Sequence, residues 1–162
     1  MAGDILLEKF HAPKEVTFKG RSDVVTDVDL LVEKEILETL QHEYPQFGIE
    51  SEETGIRIPS APYRWVVDPL DGTRNYLAGI PHFSVNIALV HQNDVGIAVT
   101  YDPFRQELFH AIKDGGAYLN NVPISVSPQS MINQCLLGFD MGYSDKRASQ
   151  ALKMIQALWP GM

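Results

Sequence analysis

Asp68-Pro69-Leu70-Asp71-Gly72-Thr73 sets two carboxylates three positions apart around a proline, directly after the β-rich run Tyr63-Arg64-Trp65-Val66-Val67. Hard divalent cations such as Mg2+ take oxygen from carboxylates, backbone carbonyls and water, so Asp68, Asp71 and the carbonyl of Leu70 make a chemically sensible ligand set. Gly72 and Thr73 then open a short helical segment. Backbone N–H groups at a helix start, with a glycine allowing close approach, favour a phosphate held by the same cations. The hexapeptide also reads as a plain turn at Asp71-Gly72 with Asp68 ending a strand, because Asp, Pro and Gly are the commonest turn residues.

Two acidic segments stand upstream. Ser51-Glu52-Glu53-Thr54-Gly55 places adjacent acids at a strand end, where one of the pair can point at a common site. Glu52 is the candidate bridge between cations, and a solvated loop is the alternative. Asp23-Val24-Val25-Thr26-Asp27-Val28-Asp29 brings three acids to the start of the clearest helix. Asp29 in the first turn is explained by capping and by the helix dipole, or by pairing with Thr73 to orient and deprotonate an attacking water. Spacing leaves both open.

These residues need a scaffold. Apolar positions Val28, Leu31, Val32, Leu37, Leu40 and Tyr44 recur at three- and four-residue steps, with Glu33, Lys34, Glu38 and Gln41 between them, so a helix runs from Thr26 to about Tyr44 and stops at Pro45. Thr26 with Asp29 resembles a capping box. A further helix is expected over Ala2 to Phe10, and another over Ser144 to Leu158, stopped by Pro160-Gly161. Strands are expected at Glu15 to Phe18, Phe47 to Glu50, Tyr63 to Asp68 with a halt at Pro69, and Phe83 to Val90. Val95 to Tyr101 and Gln106 to Ile112 continue an antiparallel meander, with turns at Lys19-Gly20-Arg21-Ser22, Asp114-Gly115-Gly116 and Asn120-Asn121. Ile124 to Ser127 reads as a short strand and Gln134 to Phe139 as a buried one. The sum is an α+β domain, with helices layered on a mainly antiparallel sheet, in one unit over 1–162.

Composition narrows the function. The formal charge is −8 with no compensating basic patch, which argues against nucleic acid or an anionic membrane as partner. An acidic protein that handles phosphate needs cations to reverse the local field. No apolar run is long enough to span a bilayer, and MAGDILLEKF has acids where a signal peptide is basic. The single thiol, Cys135 beside Leu136 and Leu137, excludes an internal disulfide and suggests a buried cysteine in the reducing cytoplasm. The five histidines lack zinc-ligand spacing, and no G-x-S-x-G elbow supports serine hydrolysis.

The three acidic segments, the third extended as Trp65-Val-Val-Asp-Pro-Leu-Asp-Gly-Thr-Arg-Asn-Tyr76, resemble in order and interval the signature of the inositol monophosphatase family. Pro81 to Leu89 and Gly115 to Ile124 look like that family's following strand and its later glycine turn. The resemblance implies the N-terminal half of the sugar phosphatase αβαβα fold and Mg2+-dependent hydrolysis of a small sugar or inositol phosphate, inositol 1-phosphate being the default. Two or three Mg2+ ions are implied in a complete enzyme. Glu52, Asp68 and the Leu70 carbonyl match the ligands of one ion, and Asp68 and Asp71 belong to the second. Asp29 and Thr73 match the water-activating pair, Gly72 and Thr73 the phosphate-binding amides, Glu53 a supporting acid and Lys19 a basic residue near the phosphate. A cytoplasmic homo-oligomer, by default a dimer, goes with this family. Its members carry a later Trp-Asp motif that completes the second metal site, and no Trp-Asp pair occurs here. The expectation is a truncated chain lacking the C-terminal α/β portion, with hydrolysis incomplete; the alternative is an inactive fragment that binds metal or phosphate or serves assembly.

Overall fold

The computed structural model describes residues 1–20, 24–58, 60–142 and 144–159. The chain divides into two compact units, residues 1–17 with 24–124 and residues 18–23 with 125–162.

In the first unit, helix α1 (Ala2–Lys9) is followed by β1 (Val16–Phe18, whose last residue falls in the second unit), β2 (Val24–Thr26) and α2 (Asp27–Glu43). Strands β3 (Gly48–Ser51), β4 (Gly55–Arg57) and β5 (Tyr63–Asp71) precede a one-turn helix α3 (Thr73–Leu77). The meander follows as β6 (Ser84–His91), β7 (Asp94–Asp102), β8 (Glu107–Ile112), β9 (Gly116–Leu119) and β10 (Val122–Ile124). β1 and β2 form a two-stranded ribbon; the other eight strands form one sheet in the order β10-β9-β8-β7-β6-β5-β3-β4. Every described pairing in that sheet is antiparallel except β3 with β5, which run parallel.

Helix α2 starts where sequence places it. The Thr26 hydroxyl accepts from the amides of Val28 and Asp29, and Asp29 reaches back to the Thr26 backbone N–H at 2.9 Å, a closed capping box. The core joins Leu6 and Phe10 of α1, Val28, Val32, Ile36 and Leu37 of α2, Ile49 of β3, Val67 and Leu70 of β5, Tyr76 of α3, and Phe83 and Val85. A polar bond crosses it: the Tyr76 hydroxyl donates to the Leu6 carbonyl at 2.6 Å, tying α3 to α1.

Several expectations need correction. β5 does not halt at Pro69. It pairs Asp68 with Asn86 and then Asp71 with Ser84, so a bulge takes up Pro69 and Leu70, and the missing proline N–H falls where the ladder is already broken. On α2, Leu31 and Tyr44 are exposed, while Ile36 takes a core position and Glu33 is buried. The strand expected at Ile124 to Ser127 is instead β10, because Asn120 and Asn121 both take positive φ and close a two-residue hairpin that pairs Val122 with Leu119.

In the second unit, α4 (Asp145–Leu158) is capped by Ser144, whose hydroxyl accepts from the Arg147 amide at 3.3 Å. Gln134 to Phe139 is not a buried strand. A 3-10 turn at Ile132–Gln134 gives way to irregular chain in which Leu136 is fully exposed, because no neighbouring strand supplies a ladder. Cys135 is likewise exposed rather than buried. Arg21, Ser22 and Asp23 of the expected first turn and acidic segment, and Pro160-Gly161 at the last helix stop, lie outside the described residues. Among the described residues no helix is long and apolar enough to cross a membrane.

Candidate active site

Parallel strands end on the same edge, and the register of β3 on β5 decides which residues leave that edge together. Ser51 is level with Val67, and the Glu52 amide still donates to the Val67 carbonyl at 3.2 Å. Glu52 and Asp68 therefore emerge side by side, though 16 residues separate them in sequence. The Asp68 carboxyl is pushed up to about 7, first by burial, then by the Glu52 charge, by a hydrogen bond shared with Glu52, and by Asp71. The Leu70 amide donates to Asp68 Oδ1 at 3.2 Å and opposes the rise. Glu52, distant in sequence, and Asp71, three residues on, thus both act on Asp68.

The bulge in β5 delivers the rest of the hexapeptide to this edge. Gly72 takes φ +89°, and a Cβ there would stand 2.8 Å from the His82 carbonyl oxygen, so both conformation and space require glycine. Beyond it, Thr73 Oγ1 lies 3.1 Å from Asp29 Oδ1 and 3.0 Å from the Leu70 carbonyl oxygen. The second oxygen of Asp29 accepts from the backbone N–H and the hydroxyl of Thr26. Asp29 thus both closes the capping box that begins at Thr26 and partners Thr73, so the two explanations of this residue are compatible.

The structure brings together Asp29, Glu52, Asp68, Leu70, Asp71, Gly72 and Thr73. Lys19 belongs to the second unit, and the geometry above is that of the first unit alone. The Glu53 amide donates to Glu33 Oε1 at 3.2 Å. Glu33 escaped the sequence reading, where it counted as an outward polar position; the available signal was its place four residues after Asp29, on the same helix face.

As a donor set these residues suit a hard divalent cation: carboxylate and carbonyl oxygens without sulfur or imidazole. The repulsion from Glu52 and Asp71 that helps raise the Asp68 carboxyl is what a cation bound among them would relieve. Among the described residues no three acidic, histidine or cysteine side chains are closed around a point at ligating distance. Glu52 and Asp71 are exposed side chains.

The profile of the inositol monophosphatase family matches residues 1–158. The chain belongs to the inositol monophosphatase family. It is 41% identical to Nus factor SuhB of Xylella fastidiosa, over 97% of this chain and 58% of that protein. It is 39% identical to an inositol monophosphatase of Dictyostelium discoideum, over 89% of this chain and 55% of that protein. The crystal structure of the extragenic suppressor protein SuhB from Bartonella henselae superposes with a TM-score of 0.79 at 37% identity, covering 81% of this chain and 52% of that one. The α+β fold with a largely antiparallel sheet is thus the inositol monophosphatase fold, and the chain spans less than two thirds of these relatives' length.

Proposed function

We propose that the chain carries the cation- and phosphate-handling residues of a phosphatase that hydrolyses a phosphomonoester of a small sugar or inositol, inositol 1-phosphate by default. One observation carries the reading: the parallel β3–β5 pair and the β5 bulge put Glu52, Asp68 and Asp71 at the same edge as the Asp29–Thr73 pair. Members of the family use Mg2+, and the oxygen donors here suit it. Glu52, Asp68 and the Leu70 carbonyl would hold one ion, and Asp68 and Asp71 a second. When bound, Mg2+ neutralises phosphoryl oxygens and acidifies water.

The chain's own residues do the positioning. Thr73 has one proton and two acceptors near 3 Å. Donating that proton to Asp29 leaves the Thr73 oxygen to accept from a water. Thr73 thereby orients the water and Asp29 receives the proton. Gly72 and Thr73 would offer backbone N–H groups to the phosphate, with Glu53 supporting the carboxylates. Residues 1–162 read as the N-terminal α+β part of the family fold, further donors and substrate contacts belonging to a C-terminal α/β portion. The lone thiol supports a cytoplasmic setting.

Calorimetric Mg2+ titration and phosphate release from inositol 1-phosphate test this. Wild type is expected to bind Mg2+ and Asp68→Asn to lose that binding. Thr73→Ala is expected to keep Mg2+ affinity while lowering turnover about 10²–10⁴-fold wherever turnover is supported, the usual worth of a proton-transfer group. A wild-type chain with no Mg2+ affinity would refute the reading.

A further inference from the structure

Helix α2 carries two buried carboxylates on one face. Asp29 and Glu33, each 2% exposed, lie four residues apart and so project one above the other, about one helical turn of 5.4 Å along the axis. Asp29 meets Thr73, just past the end of β5. Glu33 meets the turn just past the end of β3, so one helix reaches the exits of both parallel strands.

The contacts of Glu33 are concentrated on one oxygen. Its Oε1 accepts from the Ser51 hydroxyl, from the Glu53 amide at 3.2 Å, from the Thr54 amide at 3.1 Å and from the Thr54 hydroxyl at 3.4 Å. These donors bracket Glu52, one before it and the rest after it. The Glu52 amide is itself committed to the Val67 carbonyl. The backbone on both sides of Glu52 is therefore fastened, on one side to β5 and on the other to α2. A carboxylate suits this work because it is an acceptor only and its charge strengthens each bond from an amide or hydroxyl.

We propose that Glu33 is a positioning residue: it grips the turn after β3, fixes Glu52 beside Asp68, and so sets the cation affinity of the site without touching the cation. This rests on Glu52 and Asp68 being ligands, as argued above. Glutamine at 33 keeps the shape but replaces one acceptor oxygen by a donor and removes the charge. Alanine releases the turn. Either change lets Glu52 sample positions away from Asp68, and the affinity falls in proportion to the time it spends there.

The test is Mg2+ titration of the full chain by calorimetry, with hydrogen exchange at the amides of Glu53 and Thr54. Glu33→Gln is expected to weaken Mg2+ binding about 10-fold or more, the usual effect of removing a group that orients a ligand, and to speed exchange at both amides. Glu33→Ala is expected to do more; if it does not fold, the glutamine variant and its exchange rates decide. Val32→Ala, which opens a hole in the core one residue away, is expected to lower the melting temperature while leaving Mg2+ affinity within about twofold of wild type. A Glu33→Gln chain with wild-type affinity and amide protection would remove the role of Glu33 alone. A wild-type chain that binds no Mg2+ would remove the ligand reading and this role with it.

Discussion

Asp68 is the residue at which the charges of the site meet, and its protonation should be readable in stability. Burial and the neighbouring Glu52 and Asp71 raise its carboxyl from 3.8 to about 7, so between those values the folded chain holds a proton that the unfolded chain has released. With more protons bound in the native state, stability falls as the pH rises through that window and levels off above it. Melting curves in chelator are therefore expected to show wild type losing ground against Asp68→Asn between about pH 4 and pH 7. Added Mg2+ should restore more stability at the upper end than at the lower, because only the ionised carboxylate is a ligand. Equal slopes for the two proteins would contradict the arrangement. Of the site residues, Asp68, Asp71 and Gly72 were legible because hard-ligand chemistry and turn chemistry use the same small set of amino acids. Glu33 was not, since a helical pattern counts an acid among outward positions and carries no sign of a loop returning from β3 to cover it.

Among the elements, the short link from β5 to α3 is the most constrained. Gly72 combines a left-handed backbone with a carbonyl 2.8 Å from where its Cβ would be, and backbone cannot give way as a side chain does. Gly72→Ala is expected to destabilise the chain by about 1–2 kcal/mol for the conformation alone, and more for the contact, measured by urea unfolding. An alanine variant as stable as wild type would mean that the link adopts another conformation. Local signals served well for elements with complete local instructions: the Thr26–Asp29 box fixed the start of α2, and Asn120-Asn121 the β9–β10 hairpin. They failed at β5, where Pro69 reads as a stop. A bulge depends on what the partner strand β6 pairs with, and that is not written in the neighbourhood of the proline. They failed again at Gln134 to Phe139, where an apolar run has the composition of a strand but no partner.

For the molecule as a whole, the core of the first unit is closed by α1 and α3, joined by the Tyr76–Leu6 bond. Tyr76 is fully buried, so Tyr76→Phe leaves the Leu6 carbonyl without its donor at little change in volume. The expected loss is about 1–3 kcal/mol in urea unfolding, with Mg2+ affinity unaltered. A larger loss accompanied by failure to bind Mg2+ would mean that α1 also holds the site in shape. Layer architecture followed from the sequence because helix and strand periods alternate cleanly up to Ile112. The parallel pairing of β3 with β5 did not, since neither strand bears any mark of which neighbour it will choose.

The order of the sheet has one more consequence. Both of its borders, β4 and β10, are strands of three residues, and one of them contains Pro123, which has no N–H to give. A stray extended chain arriving at either border finds too short a ladder to zip onto, so edge-to-edge growth into fibrils is discouraged.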